Sequence, residues 1–72
     1  MDELIRILKE IRPNINVESN SLVDDGELDS FDIVTLVSEI MDAFNIELNV
    51  DDIIPDNFNS VEAMMNLING KK

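Results

Sequence analysis

Apolar residues recur at helical spacing in three stretches of the chain. In the first, Leu4, Ile7, Leu8 and Ile11 fall on one stripe while Glu3, Arg6, Lys9 and Glu10 lie off it, which predicts an amphipathic helix over residues 2–12. Pro13 disfavours helix at the residue before it and so marks the end. The second stretch carries the strongest period. Ile33, Leu36, Val37, Ile40 and Phe44 make one apolar stripe and predict a helix over 30–45, with Asn45 as its stop. Asp29 or Ser30 can accept hydrogen bonds from the N–H groups of its first turn. In the third, Val61, Met64, Met65 and Ile68 share the inner face of a helix from Ser60 to Asn69. Asn59, followed three residues later by Glu62, reads as its capping box, and Gly70 suits its C-terminal end.

The segments between these helices are less regular. Residues 13–28 mix Asn, Ser and Asp with scattered apolar positions, and Ile15, Val17, Leu22, Val23 and Leu28 are expected to tuck this long loop onto the core. A loop of that length in so small a domain is usually functional. Residues 51–54 allow one or two helical turns ahead of Pro55. The β-branched residues of 46–54 would also suit a strand, but the helical reading is preferred. The expected fold is all-α. It is a small four-helix bundle of three longer helices and one short one, with a long loop between helices one and two. A chain of 72 residues leaves room for one domain, residues 1–72, and no second core.

Composition then removes whole classes of function. The chain has no His, Cys, Trp or Tyr. It therefore has no thiol nucleophile, no side chain that titrates near neutrality by default, no thiolate or imidazole zinc site and no disulfide. An enzyme in its own right is not expected. Sixteen acidic residues against five basic ones give a net charge of −11. That disfavours nucleic acid and anionic lipid, which are polyanions, and favours partners with basic surfaces. The apolar runs are too short to cross a bilayer and no secretory signal is visible, so a monomeric cytoplasmic protein is expected. The five bases lie at the ends, at Arg6, Lys9, Arg12, Lys71 and Lys72, and none falls between Pro13 and Gly70.

The acids crowd around one hydroxyl. Ser30 is surrounded by Asp24, Asp25, Glu27, Asp29 and Asp32, and sits where first-turn N–H groups and the helix dipole favour an anion such as a phosphate ester. Read from the local sequence alone, Ser30 is more readily a simple N-cap. On the same helix Phe31, Thr35, Ser38 and Asp42 face away from the apolar stripe, with Val34 and Met41 on the flank. An outward Phe heading such a strip, beside an acidic rim, resembles a docking face for another protein.

The run Asp24-Asp25-Gly26-Glu27-Leu28-Asp29-Ser30-Phe31-Asp32-Ile33-Val34 resembles the modification site of acyl carrier proteins, in which an Asp-Ser-Leu or Asp-Ser-Met motif opens the second helix. Phe44-Asn45-Ile46-Glu47-Leu48, the segment from Pro55 to Val61 and the closing Ile68-Asn69-Gly70 are also similar to that family. The resemblance implies that Ser30 carries 4′-phosphopantetheine, transferred from coenzyme A by a separate phosphopantetheinyl transferase with magnesium. It implies that the thiol of this arm holds acyl or aminoacyl groups as thioesters, in fatty acid, lipid or related biosynthesis. Asp29 would orient the site. By the same analogy the acids Asp32, Glu39 and Asp42 would meet Arg and Lys of the loading and transfer enzymes, beside the outward strip of Phe31, Thr35, Ser38 and Met41 read from the helical period. The spelling departs from many fatty-acid carriers: Glu27 stands where they have Gly, Phe31 replaces Leu or Met, and Ser38 replaces an outward Met. Gly26-Glu27-Leu28-Asp29-Ser30 is closer to D-alanyl carrier proteins, so a D-alanyl or aminoacyl cargo is the alternative. From another class, an unmodified acidic interaction module is the competing reading.

Two other patterns lead nowhere. Taking Gly26 as the sixth position of a calcium loop puts Val23 at the third, where it cannot ligate, and no metal site is predicted. Asp51 and Asp52 are adjacent and do not converge as a catalytic pair. The uncompensated central acids repel one another in the folded state. Raising salt from low to moderate concentration, or adding magnesium, should therefore raise the melting temperature, and a flat or falling trend in a thermal CD series contradicts this account.

Overall fold

The computed structural model describes residues 2–72. It contains α1 (Asp2–Ile11), α2 (Ser30–Phe44), α3 (Pro55–Phe58) and α4 (Val61–Lys71), with one turn of 3-10 helix at Val50–Asp52. No strand occurs among the described residues. Helix α2 lies against α1, while α4 packs on α3 and α1. The expected small all-α bundle, three longer helices and one short, is the fold observed.

Apolar burial holds the bundle. Leu4, Ile7 and Leu8 of α1 meet Leu36, Val37 and Ile40 of α2, and Phe58, Val61, Met64 and Ile68 complete the core from α3 and α4. Each such side chain contributes about 1.5–3 kcal/mol when fully buried. The inner face of α2 is rotated slightly from the one its sequence suggests: Ile33 and Phe44 are only partly buried, and Leu36 and Val37 lie deeper. No polar or charged residue is buried among those described.

The long loop is part of the fold. Ile15, Leu22 and Leu28 are buried, with Val17 and Val23 packed partly against them. Its turns are closed by short polar links, from Asn16 Oδ1 accepting the Glu18 N–H at 3.1 Å to the Gly26 N–H donating to the Val23 carbonyl at 3.1 Å. Gly26 has φ of 79°, the left-handed region that a residue with Cβ rarely adopts.

Three local expectations are corrected. The short helix follows Pro55 rather than preceding it, because proline lacks only an N–H that the first helical position leaves unpaired, and its fixed φ suits that position. The helical turn expected ahead of Pro55 is also present, as 3-10 helix over Val50–Asp52. Ser60, not Asn59, caps α4, with its hydroxyl accepting the Ala63 N–H at 3.0 Å. Gly70 lies inside α4 and does not end it, since the helix runs on to Lys71. The Lys71 ammonium anchors that last turn on Asp52 at 2.8 Å.

Asn59 is free of the cap because it has a longer-range task. Its Oδ1 accepts from the backbone N–H of Val23 at 2.9 Å and of Asp24 at 3.1 Å, and its carbonyl accepts the Leu22 N–H at 2.9 Å. One side chain thus pins the long loop to the junction between α3 and α4. Asn59→Ala leaves the partly sheltered Val23 N–H and the exposed Asp24 N–H without that acceptor. It should lower the unfolding free energy by about 1–3 kcal/mol in urea titrations at moderate salt, whereas an unchanged midpoint would show the pin to be idle.

Candidate functional site

Helix α2 starts with a reciprocal cap. Asp29 has extended backbone angles, and its Oδ1 accepts the Asp32 N–H at 2.9 Å. Asp32 returns the bond, its Oδ2 accepting the Asp29 N–H at 3.3 Å. This is a capping box in which Asp takes the part usually played by Glu. The ambiguity left by the sequence is resolved: Asp29 is the cap, and Ser30 is the first helical residue. Ser30 is exposed to solvent, with its hydroxyl outside the capping scheme.

Arg12 fastens this cap from the other side. Its Nε donates to Asp32 Oδ2 at 2.6 Å, and its Nη2 to Asp29 Oδ2 at 3.2 Å. Partial burial pushes the Asp32 carboxyl up, but the Arg12 guanidinium and the hydrogen bonds within the cap outweigh it and hold Asp32 below the usual aspartate range. The bases are thus less remote from the central acids than their positions in the sequence suggest.

Beside Ser30 runs an open groove of about 350 Å³ between α2 and the segment leading into α3. Val23, Ile33, Val34, Ile53, Ile54, Pro55 and Phe58 line it, so its walls are apolar. An exposed hydroxyl at the edge of such a groove has room for an attached chain. The other serines are placed differently. Ser60 is committed to the cap of α4, Ser19 and Ser21 are half-buried in the loop, and Ser38 sits in the middle of α2.

The chain matches the family model described as the phosphopantetheine attachment site over residues 2–68. It belongs to that family. Proteins of the family are non-catalytic carriers of covalently bound 4′-phosphopantetheine. No curated protein and no solved structure matches the chain.

On this carrier the expected docking residues are arranged unevenly. Phe31 is 84% exposed and Val34 69% exposed, and Thr35, Ser38, Glu39 and Asp42 are also at the surface. Met41 is half-buried against the core, and Asp32 is engaged by Arg12. Ile53 and Ile54, across the groove from Val34, are exposed apolar residues that the sequence pattern did not single out as part of the site. Arg12 was also missed, because seventeen and twenty residues separate it from its partners and no local signal marks the contact. Only the absence of any base between Arg12 and Lys71 hints that the central acids would have to draw on it.

The Arg12–Asp32 contact has a defined pH dependence. Asp32 titrates below its ordinary 3.8 when folded, so the unfolded chain binds its proton first. The stability from this contact is complete above the ordinary aspartate range and is lost as pH falls through the depressed value. Wild type should melt above Asp32→Asn from pH 7 down to about 5, with the gap closing in more acidic buffer. Thermal melts of the two proteins across this range check it, and a gap independent of pH contradicts it.

Proposed function

We propose that Ser30 is the attachment point of the phosphopantetheine arm, and that the protein ferries acyl or aminoacyl groups between enzymes. The observation that carries this reading is the solvent-exposed Ser30 hydroxyl at the first position of α2, left free because Asp29 does the capping. Helix N–H groups and the dipole there favour an anionic ester. When bound, the arm supplies a thiol that holds the cargo as a thioester, the chemistry that a chain without Cys does not itself contain. Ser30 would hold the arm, Asp29 fixes the helix start beneath it, and the open groove gives an attached chain an apolar wall.

Partner enzymes meet the face around α2. Phe31 and Val34 offer apolar contact with half-buried Met41 on their flank, Thr35 and Ser38 add polar surface, and Asp32, Glu39 and Asp42 make the acidic rim that steers Arg and Lys of a transferase or acyl-transfer enzyme. Such complementarity raises the encounter rate and sets specificity without making the complex tight, which suits a cytoplasmic, monomeric shuttle. Acyl cargo in lipid or related biosynthesis is the leading reading. The Gly26-Glu27-Leu28-Asp29-Ser30 spelling supports a D-alanyl or other aminoacyl cargo as the second.

Incubation with coenzyme A, magnesium and a broad-specificity phosphopantetheinyl transferase should add one phosphopantetheinyl group, read as intact mass. Ser30→Ala should abolish the addition and keep the helical CD spectrum. Wild type that stays unmodified under conditions that modify a control carrier would instead favour the unmodified acidic interaction module.

A further inference from the structure

Among the described residues Arg12 is the one cation in contact with the start of α2. Arg6 is occupied with Glu3 and Glu10 on its own helix, and Lys71 with Asp52 at the far end of the chain. The backbone of Arg12 is pinned on both sides. Its N–H donates to the Leu8 carbonyl at 2.8 Å, its own carbonyl accepts the Ile15 N–H at 3.0 Å, and Pro13 follows. The guanidinium therefore leaves the end of α1 from a fixed base and spans to α2.

What it meets there are the two carboxylates that flank Ser30, one at the preceding residue and one two residues on. Asp29 is divided, with Oδ1 on the cap and Oδ2 on Arg12. Asp32 is shared between the Asp29 N–H and Arg12 through one oxygen, Oδ2. Without Arg12 both carboxylates would lose their counter-charge, and Asp29 would be free to turn away from the cap. The adjacent hydroxyl of Ser30 could then take the cap over.

We infer that Arg12 is a positioning residue for the modification of Ser30. It keeps Asp29 and Asp32 in the arrangement that leaves the hydroxyl free, and it offsets their charge where an anionic phosphodiester is built. This rests on Ser30 being the attachment point. In the transfer, Ser30 Oγ forms a bond to the pantetheine-side phosphorus of the coenzyme A pyrophosphate. The bond from that phosphorus to the bridging oxygen breaks, adenosine bisphosphate leaves with the electron pair, and the serine proton passes to a base on the transferase or to water. Negative charge is thus brought up to two existing carboxylates, and Arg12 supplies the single positive charge beside them.

The test compares wild type, Arg12→Gln and Arg12→Lys. Initial rates of modification by the transferase are followed by intact mass over a range of carrier concentrations, at low and at moderate salt, with CD and melting curves in the same buffers. Arg12→Gln should lose about three- to fivefold in kcat, the scale of a half-exposed ion pair. Its KM should not rise, because the added net negative charge favours encounter with a basic transferase. Arg12→Lys should recover most of the rate, and the Arg12→Gln deficit should shrink as salt rises. Equal kcat for wild type and Arg12→Gln overturns the inference and leaves the Ser30 reading standing. A raised KM with lowered melting temperature and no rescue by lysine also overturns it, since that pattern belongs to a structural contact alone. Failure of wild type to be modified beside a working control overturns the Ser30 reading itself.

Discussion

Asp29 and Asp32 exchange hydrogen bonds between side chain and backbone at the first turn of α2, and Arg12 holds both from the end of α1. The placement of the site depends on this knot. A helix start needs an acceptor for its orphan N–H groups, and either Asp29 or Ser30 could supply one. With the aspartate in that role the serine is spared, and its hydroxyl stays at the surface. The same knot ties the two ends of the long loop together, since α1 finishes and α2 begins on either side of it.

The loop itself is held at a second place. Buried Leu22 and Leu28 carry it across the core, and Asn59 receives its backbone at Leu22, Val23 and Asp24. Val23 then forms part of the groove beside Ser30, together with Ile53, Ile54 and Phe58 from the segment around α3. The groove is assembled from three separate parts of the chain, and polar links to Asn59 and the cap keep those parts in register. Burial of apolar area supplies the free energy of folding, while these few directional bonds decide where the surface features end up.

Much of this was legible in the sequence. The period of Leu4, Ile7, Leu8 and Ile11, and that of Leu36, Val37 and Ile40, is a direct consequence of burial on one side of a helix, so the helices and their inner faces could be read. Asn45 stops α2 as its position suggested, and the structure adds that it does so in the left-handed conformation. Ser30 stood out because a hydroxyl between acids at a helix start is a local pattern. Pro55 was harder, since proline both ends and begins helices, and only the packing of Phe58 decides between them. Asn59 and Arg12 could not be assigned their roles at all. Their partners are 35 and 36 residues away in one case and 17 and 20 in the other, and no window of sequence contains both ends of such a bond.

The directional bonds between distant segments all run along the rim: Arg12 to the cap, Asn59 to the loop, Lys71 to Asp52. None crosses the middle, where every buried side chain described is apolar. Dispersion and hydration forces have little angular preference, so the rim bonds, above all those of Arg12, set how α1 and α2 register against each other. Mechanically the molecule is a stitched purse rather than a riveted frame. Its seams fix the outline, and its lining fills the space they enclose.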